Sequence, residues 1–132
     1  MPSVHLRFTP LPEHVRTARL VATTVARRLG LTDDVLEGVR LAVGEACARA
    51  VQRSETLDEP QPVEMELSDD EGRLVVEVRD RAALAGELVP GNLSLTLLEG
   101  LADRVQLRAG PGGPGGRLRL EWGGPALRAT PM

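Results

Sequence analysis

The apolar residues of this chain change their spacing part-way along it, and that change limits what it can fold into. Val15, Ala18, Ala22, Val25 and Leu29 recur at intervals of three and four, the spacing that lines up one face of a helix. From Val63 onward the interval is two. Val63, Met65 and Leu67 alternate with polar residues, then Leu74, Val76 and Val78, then Leu118, Leu120 and Trp122. Each such strand has one apolar face, and each helix one apolar stripe. Neither can be left in water, so the helices must stack on one side of the sheet. The expected fold is α/β (α+β): a two-layer sandwich with a largely antiparallel sheet of about five strands, covered on one face by about three helices. Arg7, Glu64, Glu66, Glu77, Arg117 and Arg119 fall on the opposite phase and should point from the uncovered face.

The element ends are signalled by particular residues. Val4, Leu6 and Phe8 alternate with His5 and Arg7 as a first strand, and Pro12 suits the first turn of the helix that follows. Gly30 should stop that helix, and Thr32 should cap the next, with Asp33 and Asp34 in its first turn. This second helix is expected to run to about Arg53, before a polar loop from Ser54 to Pro62. Asp69 to Gly72 reads as a hairpin turn. Leu93 to Asp103 reads as a third helix with Leu97, Leu98 and Leu101 on one side. Val105 and Leu107 start a last hairpin, reversed at P-G-G-P-G-G and closed by Leu118 to Trp122. One domain, residues 1–122, and a frayed tail, 123–132, are expected.

Composition narrows the function classes. A chain of 132 residues with net charge −3 has no electrostatic footprint for nucleic acid. No apolar run approaches the ~20 residues that span a membrane, and no signal-peptide pattern opens the chain. With a single cysteine, Cys47, no internal disulfide can form, and a reducing cytoplasm is the expected compartment. All sixteen basic residues are Arg. A Walker-type phosphate loop and Schiff-base chemistry, which need Lys, are therefore excluded.

Three segments carry a family resemblance: V-R-x-A-R (Val15 to Arg19), R-L-A-V-G-E-A-C (Arg40 to Cys47) and L-x-L-L-x-x-L-A-D-R-V (Leu95 to Val105). With the order of elements from Val4 to Trp122, they resemble the anti-sigma serine-kinase branch of the GHKL, or Bergerat-fold, ATPases. The resemblance implies a nucleotide site built from three boxes. In the first, E-x-x-x-N, Glu45 matches the general base and Arg49 stands where the family's Asn holds magnesium. A guanidinium has donors only and a permanent charge. Two unit charges ~4 Å apart cost about 4 kcal/mol at an effective dielectric of ~20, and magnesium carries two.

In the second box, D-x-G-x-G, Asp80 matches the carboxylate that accepts from the adenine amino group, whereas Ala82 and Leu84 replace the glycines. In the third, the glycine-rich lid, the matching positions are Asn92 to Leu95, with Asn92 and Ser94 in place of glycines. Each box departs from the pattern. The resemblance thus implies an anti-sigma-like regulator that binds a sigma factor or an anti-anti-sigma (STAS-type) protein, usually as a homodimer, with a Mg-ATP site that is degenerate and no cofactor. The alternative is an active serine kinase that phosphorylates an anti-anti-sigma partner, with Arg49 contacting ATP phosphates directly. A structural subunit is a third class.

Each site residue also has a plainer explanation. Glu45 and Arg49 lie four apart in acid-before-base order, which favours a helix-surface salt bridge. Asp80 ends a strand, where Asp commonly caps a turn. Cys47 fits a core position, and Trp122 a core or interface position. His5 and His14 have no metal spacing around them.

Overall fold

A computed structural model of the chain describes residues 3–81, 93–109 and 116–123, with the backbone alone for 93–95 and 109. Among the described residues the elements are β1 (Ser3–Phe8), α1 (His14–Arg28), α2 (Asp33–Thr56), β2 (Val63–Asp70), β3 (Arg73–Asp80), α3 (Leu93–Leu101), β4 (Arg104–Ala109) and β5 (Gly116–Gly123). The five strands form one sheet in the order β1-β2-β3-β5-β4, with every neighbouring pair antiparallel. The helices lie together on one face. This is the expected two-layer α+β sandwich.

The core is aliphatic. Met65, Leu67, Leu74, Val76 and Leu120 are fully buried on the sheet side and meet Val39, Val43 and Cys47 of α2. Small residues line the contact of α1 with α2. Ala18, Ala22 and Ala26 are buried on one helix, Ala42, Ala46 and Ala50 on the other, and small side chains let helix axes approach closely. Trp122 is 2% exposed and its indole N–H donates to the Leu101 carbonyl at 2.9 Å, so the buried ring has its polar atom satisfied. Gly38 makes room for that contact: a Cβ there would lie 2.9 Å from the Leu101 oxygen. α2 is thereby pinned to the end of α3 and to β5.

The helix ends follow the capping signals, with two shifts. Thr32 Oγ1 accepts from the Val35 N–H at 3.4 Å. Gly30 sits at φ +79°, its N–H on the Arg27 carbonyl and the Leu31 N–H on that of Ala26, the Schellman pattern. The first shift is at the start of α1. Pro12 lies in a preceding turn, where Leu11 and Pro12 carbonyls accept from His14 and Val15, and the regular helix starts at His14.

The second shift is at the end of α2, which continues to Thr56 rather than stopping at Arg53. It closes with the same Schellman bonds, Glu59 N–H to Ser54 and Asp58 N–H to Glu55, with Asp58 taking the left-handed position at φ 54°. No glycine marks that stop, so its sequence signal is weak. Arg53 in this last stretch is tied to β3 by its contact with Asp80, which favours continuing the helix.

Asp70 to Arg73 makes the β2–β3 turn. Glu71 (φ 54°) and Gly72 (φ 82°) have the positive dihedrals of a type I′ hairpin, and Asp69 accepts from the Gly72 N–H at 2.8 Å. In α3, Leu98 is buried but Leu97 is 49% exposed, so the expected side that grouped Leu97 with Leu98 and Leu101 is corrected by about one residue. Gly123 is the last residue of β5 and not the first of a tail; the rest of the expected tail, 124–132, lies outside the described residues. The P-G-G-P-G-G loop also lies outside them except for Gly116, although β4 and β5 on either side pair as a hairpin.

Candidate functional site

The described positions of the expected boxes lie on α2 and at the end of β3, two elements that touch. Glu45, Arg49 and Arg53 follow one another at intervals of four on α2 and so lie along one face of it. Glu45 and Arg49 are half-buried, and both are engaged by polar or electrostatic partners. One turn further, the helix dips against the sheet. There Arg53 is 6% exposed, and its Nε donates to Oδ2 of Asp80 at 3.3 Å.

Asp80 is the last residue of β3 and pairs across the sheet with Gly116 of β5. Its side chain is 5% exposed. It faces inward, onto a guanidinium from the helix above. Bringing two such charges out of water costs several kcal/mol each, and a close hydrogen-bonded contact is what offsets that cost. Arg53 was not singled out by the sequence reading. Its signal was present, though weak: a third charged residue in step with Glu45 and Arg49, on a helix whose neighbouring turns are Ala, Val and Cys.

The other box positions are less fully placed. Ala82, Leu84 and Asn92 lie outside the described residues. Ser94 falls in the first turn of α3, where the backbone alone is described. The helix that carries the first box and the strand that ends in the second are therefore in contact through Arg53 and Asp80.

The donor chemistry of this cluster can be set against magnesium and ATP. Arg49 and Arg53 offer N–H groups and positive charge, which suit phosphate or carboxylate oxygens and do not suit a metal ion. Among the described residues no three His, Cys, Asp or Glu side chains converge as a metal-binding group. Cys47 is fully buried, and desolvation pushes its thiol up to about 12, so it is an unreactive core residue. His5 is exposed beside Glu66 at 3.3 Å. His14 is half-buried, with Nδ1 3.0 Å from the Thr9 carbonyl and its ring edge-on to Phe8, which places it in local structure.

A second concave surface lies on the helix layer. A groove of about 640 Å³ runs between the start of α1 and the end of α2, with Val15 and Val51 in it and Arg16, Arg19, Gln52 and Glu55 around it. Arg19 crosses α2 at Gly44, where a Cβ would come within 2.8 Å of the Arg19 Cδ.

Residues 8–122 match the family described as the histidine kinase-like ATPase domain. The chain belongs to that family. The chain is 29% identical over 127 residues to the serine-protein kinase RsbW of Bacillus velezensis, covering 83% of this chain and 79% of the relative. To the serine-protein kinase RsbW of Bacillus subtilis (strain 168) it is 30% identical over 123 residues, covering 80% and 77%. A crystal structure of the RsbU and RsbW domains of a Mycobacterium tuberculosis protein superposes with TM-score 0.72 at 17% identity. That match spans 92% of this chain and 32% of the larger one, and it shows a shared fold. No helix among the described residues is long and apolar enough to cross a membrane.

Proposed function

We propose that this histidine kinase-like ATPase domain is an anti-sigma-type regulator that works by protein–protein binding, and that its nucleotide site no longer takes magnesium-ATP. The observation that carries the proposal is the buried Arg53–Asp80 pair. The carboxylate assigned to the adenine amino group is held by a cation of the same chain, on a helix that also carries Arg49 where a magnesium ligand is expected. A metal ion beside Arg49 would meet a guanidinium, which offers positive charge and no lone pair, where an amide oxygen is expected.

The partners are a sigma factor or a STAS-type anti-anti-sigma protein in the cytoplasm, with the domain as a homodimer. Support for the partner class comes from the RsbW relatives. The α1–α2 groove, apolar within and charged around, is a described surface suited to a protein segment.

The relatives' name, serine-protein kinase, favours a second proposal: an active kinase in which Arg49 contacts the phosphates directly. Titration calorimetry separates the two. No saturable heat is expected from ATP with magnesium in the micromolar range. Saturable binding at a defined stoichiometry, followed by phosphate transfer to a STAS-type protein, would establish the kinase instead.

A further inference from the structure

The open face of the sheet is a grid whose side chains can be read row by row from the strand register. Across β1, β2, β3, β5 and β4, one row is Arg7, Glu64, Arg79, Arg117 and Arg108. Its first three members alternate in sign. The last three are all cations, directly opposite one another in consecutive ladders. Like charges in directly opposed positions are destabilising. Arg79 is relieved, because Glu64, Glu66 and Glu77 all lie within 3.4 Å of its guanidinium. Arg117 and Arg108 are not relieved in this way.

The nearest carboxylate to Arg117 is Glu77, 3.7 Å from its Nε, too far for a hydrogen bond. That Nε is buried and has no hydrogen-bond partner among the described residues. The Arg108 and Arg104 side chains on β4 make no hydrogen bond or ion pair among the described residues. The nearby glutamates are already committed. Glu77 is hydrogen-bonded to Arg79 at 2.9 Å, and Glu121 holds Arg73 at 3.1 Å and Arg119 at 2.8 Å.

These residues surround a concavity of about 310 Å³ over β3, β5 and β4. Five arginines against two glutamates leave three positive charges in excess there, in a chain whose net charge is −3. A buried donor without an acceptor, and opposed cations that share only the distant Glu77 carboxylate beside Arg117, are both costs that one anion would reduce.

We infer that this pocket on the uncovered sheet face binds a phosphate-class oxyanion, bridged between Arg108 and Arg117. A carboxylate would cancel one charge. A phosphate group carries nearly two at neutral pH and offers three acceptor oxygens, which match guanidinium forks from both strands. The inference does not depend on whether the domain binds ATP, since the pocket lies on the sheet face away from α2.

The test uses inorganic pyrophosphate with the whole chain at low ionic strength, by calorimetry and thermal melting, against sodium chloride of equal ionic strength. Arg108 is exposed on edge strand β4, so Arg108→Gln is expected to fold. Exposed Arg28→Gln on α1 is the charge-matched control. One-site binding is expected for wild type and the control, at least tenfold weaker in Arg108→Gln. Without anion, Arg108→Gln should melt no lower than wild type, because it relieves the opposed charges.

A response that chloride reproduces, or that Arg108→Gln leaves intact, would overturn the site. So would a change of oligomeric state in Arg108→Gln, by light scattering, with no pyrophosphate response; the face would then be a contact between copies. A phosphoserine peptide and its unphosphorylated twin distinguish the sources. Competition by the phosphopeptide alone means a protein-borne phosphate, and its failure to compete means a free anion.

Discussion

The two faces of the sheet use the same chemistry, arginine against carboxylate, under opposite conditions. On the covered face there is the Arg53–Asp80 pair, with side chains 6% and 5% exposed and a contact of 3.3 Å. On the open face are many contacts, from 2.8 to 4.0 Å, among side chains that water also reaches. Number of contacts is a poor guide to which face matters more. A buried pair exposes the protein to the full cost of an uncompensated charge if one partner is lost, whereas the open grid can rearrange and call on solvent. The covered pair should therefore behave as a switch in stability, and the open grid as a graded buffer.

The largest effect should come from breaking the covered pair on one side. Asp80→Ala leaves the Arg53 guanidinium buried without its carboxylate and should cost about 3–5 kcal/mol in urea unfolding. Replacing both at once, Arg53→Leu with Asp80→Leu, removes the unpaired charge and should recover most of that loss. If Asp80→Ala costs less than about 1 kcal/mol, the pair is hydrated and the contrast between the faces disappears.

A middle case sits at the boundary of the two regimes. Glu121 is on the open face but its side chain is only 7% exposed. Burial is the largest single influence on its carboxyl and pushes it up. The hydrogen bonds from Arg119 and Arg73, with their charges, together outweigh burial and hold it below the ordinary value of 4.5. Because the folded value is the lower one, the stabilisation is present above about pH 4.5 and is lost as the pH falls through the folded value. Glu121→Gln should cost about 2 kcal/mol at neutral pH, a typical value for hydrogen bonds to a charged group. Melting curves taken down to acid pH should show wild type and variant converging. An advantage of constant size across that range would mean that packing, rather than charge, is what Gln loses.

The architecture was legible because each element announces its burial through period. Val63, Met65 and Leu67 are all buried, and Glu64 and Glu66 project from the open face, as alternation requires. The end of α2 was not legible. Asp58 takes the left-handed stop usually given to Gly, and the last stretch is tied to β3 by the Arg53–Asp80 contact, which is a property of the tertiary fold.

The site shows the same division. Its anchor positions on α2 and at the end of β3 followed from the family resemblance, since Glu45 and Asp80 sit at recognisable places in element order. The partnership of Asp80 with Arg53 spans 27 residues and depends on how α2 lies across β3, which no local pattern encodes. The like-charge row on the open face was equally hidden. Arg108 and Arg117 become opposed only through the register of β4 with β5.

At the far end of the same scale lies Glu37 with Arg40, one turn apart on α2. Their closest contact, 2.6 Å, is shorter than that of the buried pair, and the hydrogen bond lowers the carboxyl of Glu37 and raises Arg40. Both side chains are largely in water, 45% exposed for Arg40 and 58% for Glu37. There, folding brings little desolvation for the contact to offset, and the unfolded chain hydrates both groups equally well. Glu37→Gln should leave the melting temperature unchanged within error at moderate salt, and a small difference seen at low salt should vanish as salt is added. A loss as large as that of Glu121→Gln would mean that contact length, and not burial, ranks the ion pairs of this domain.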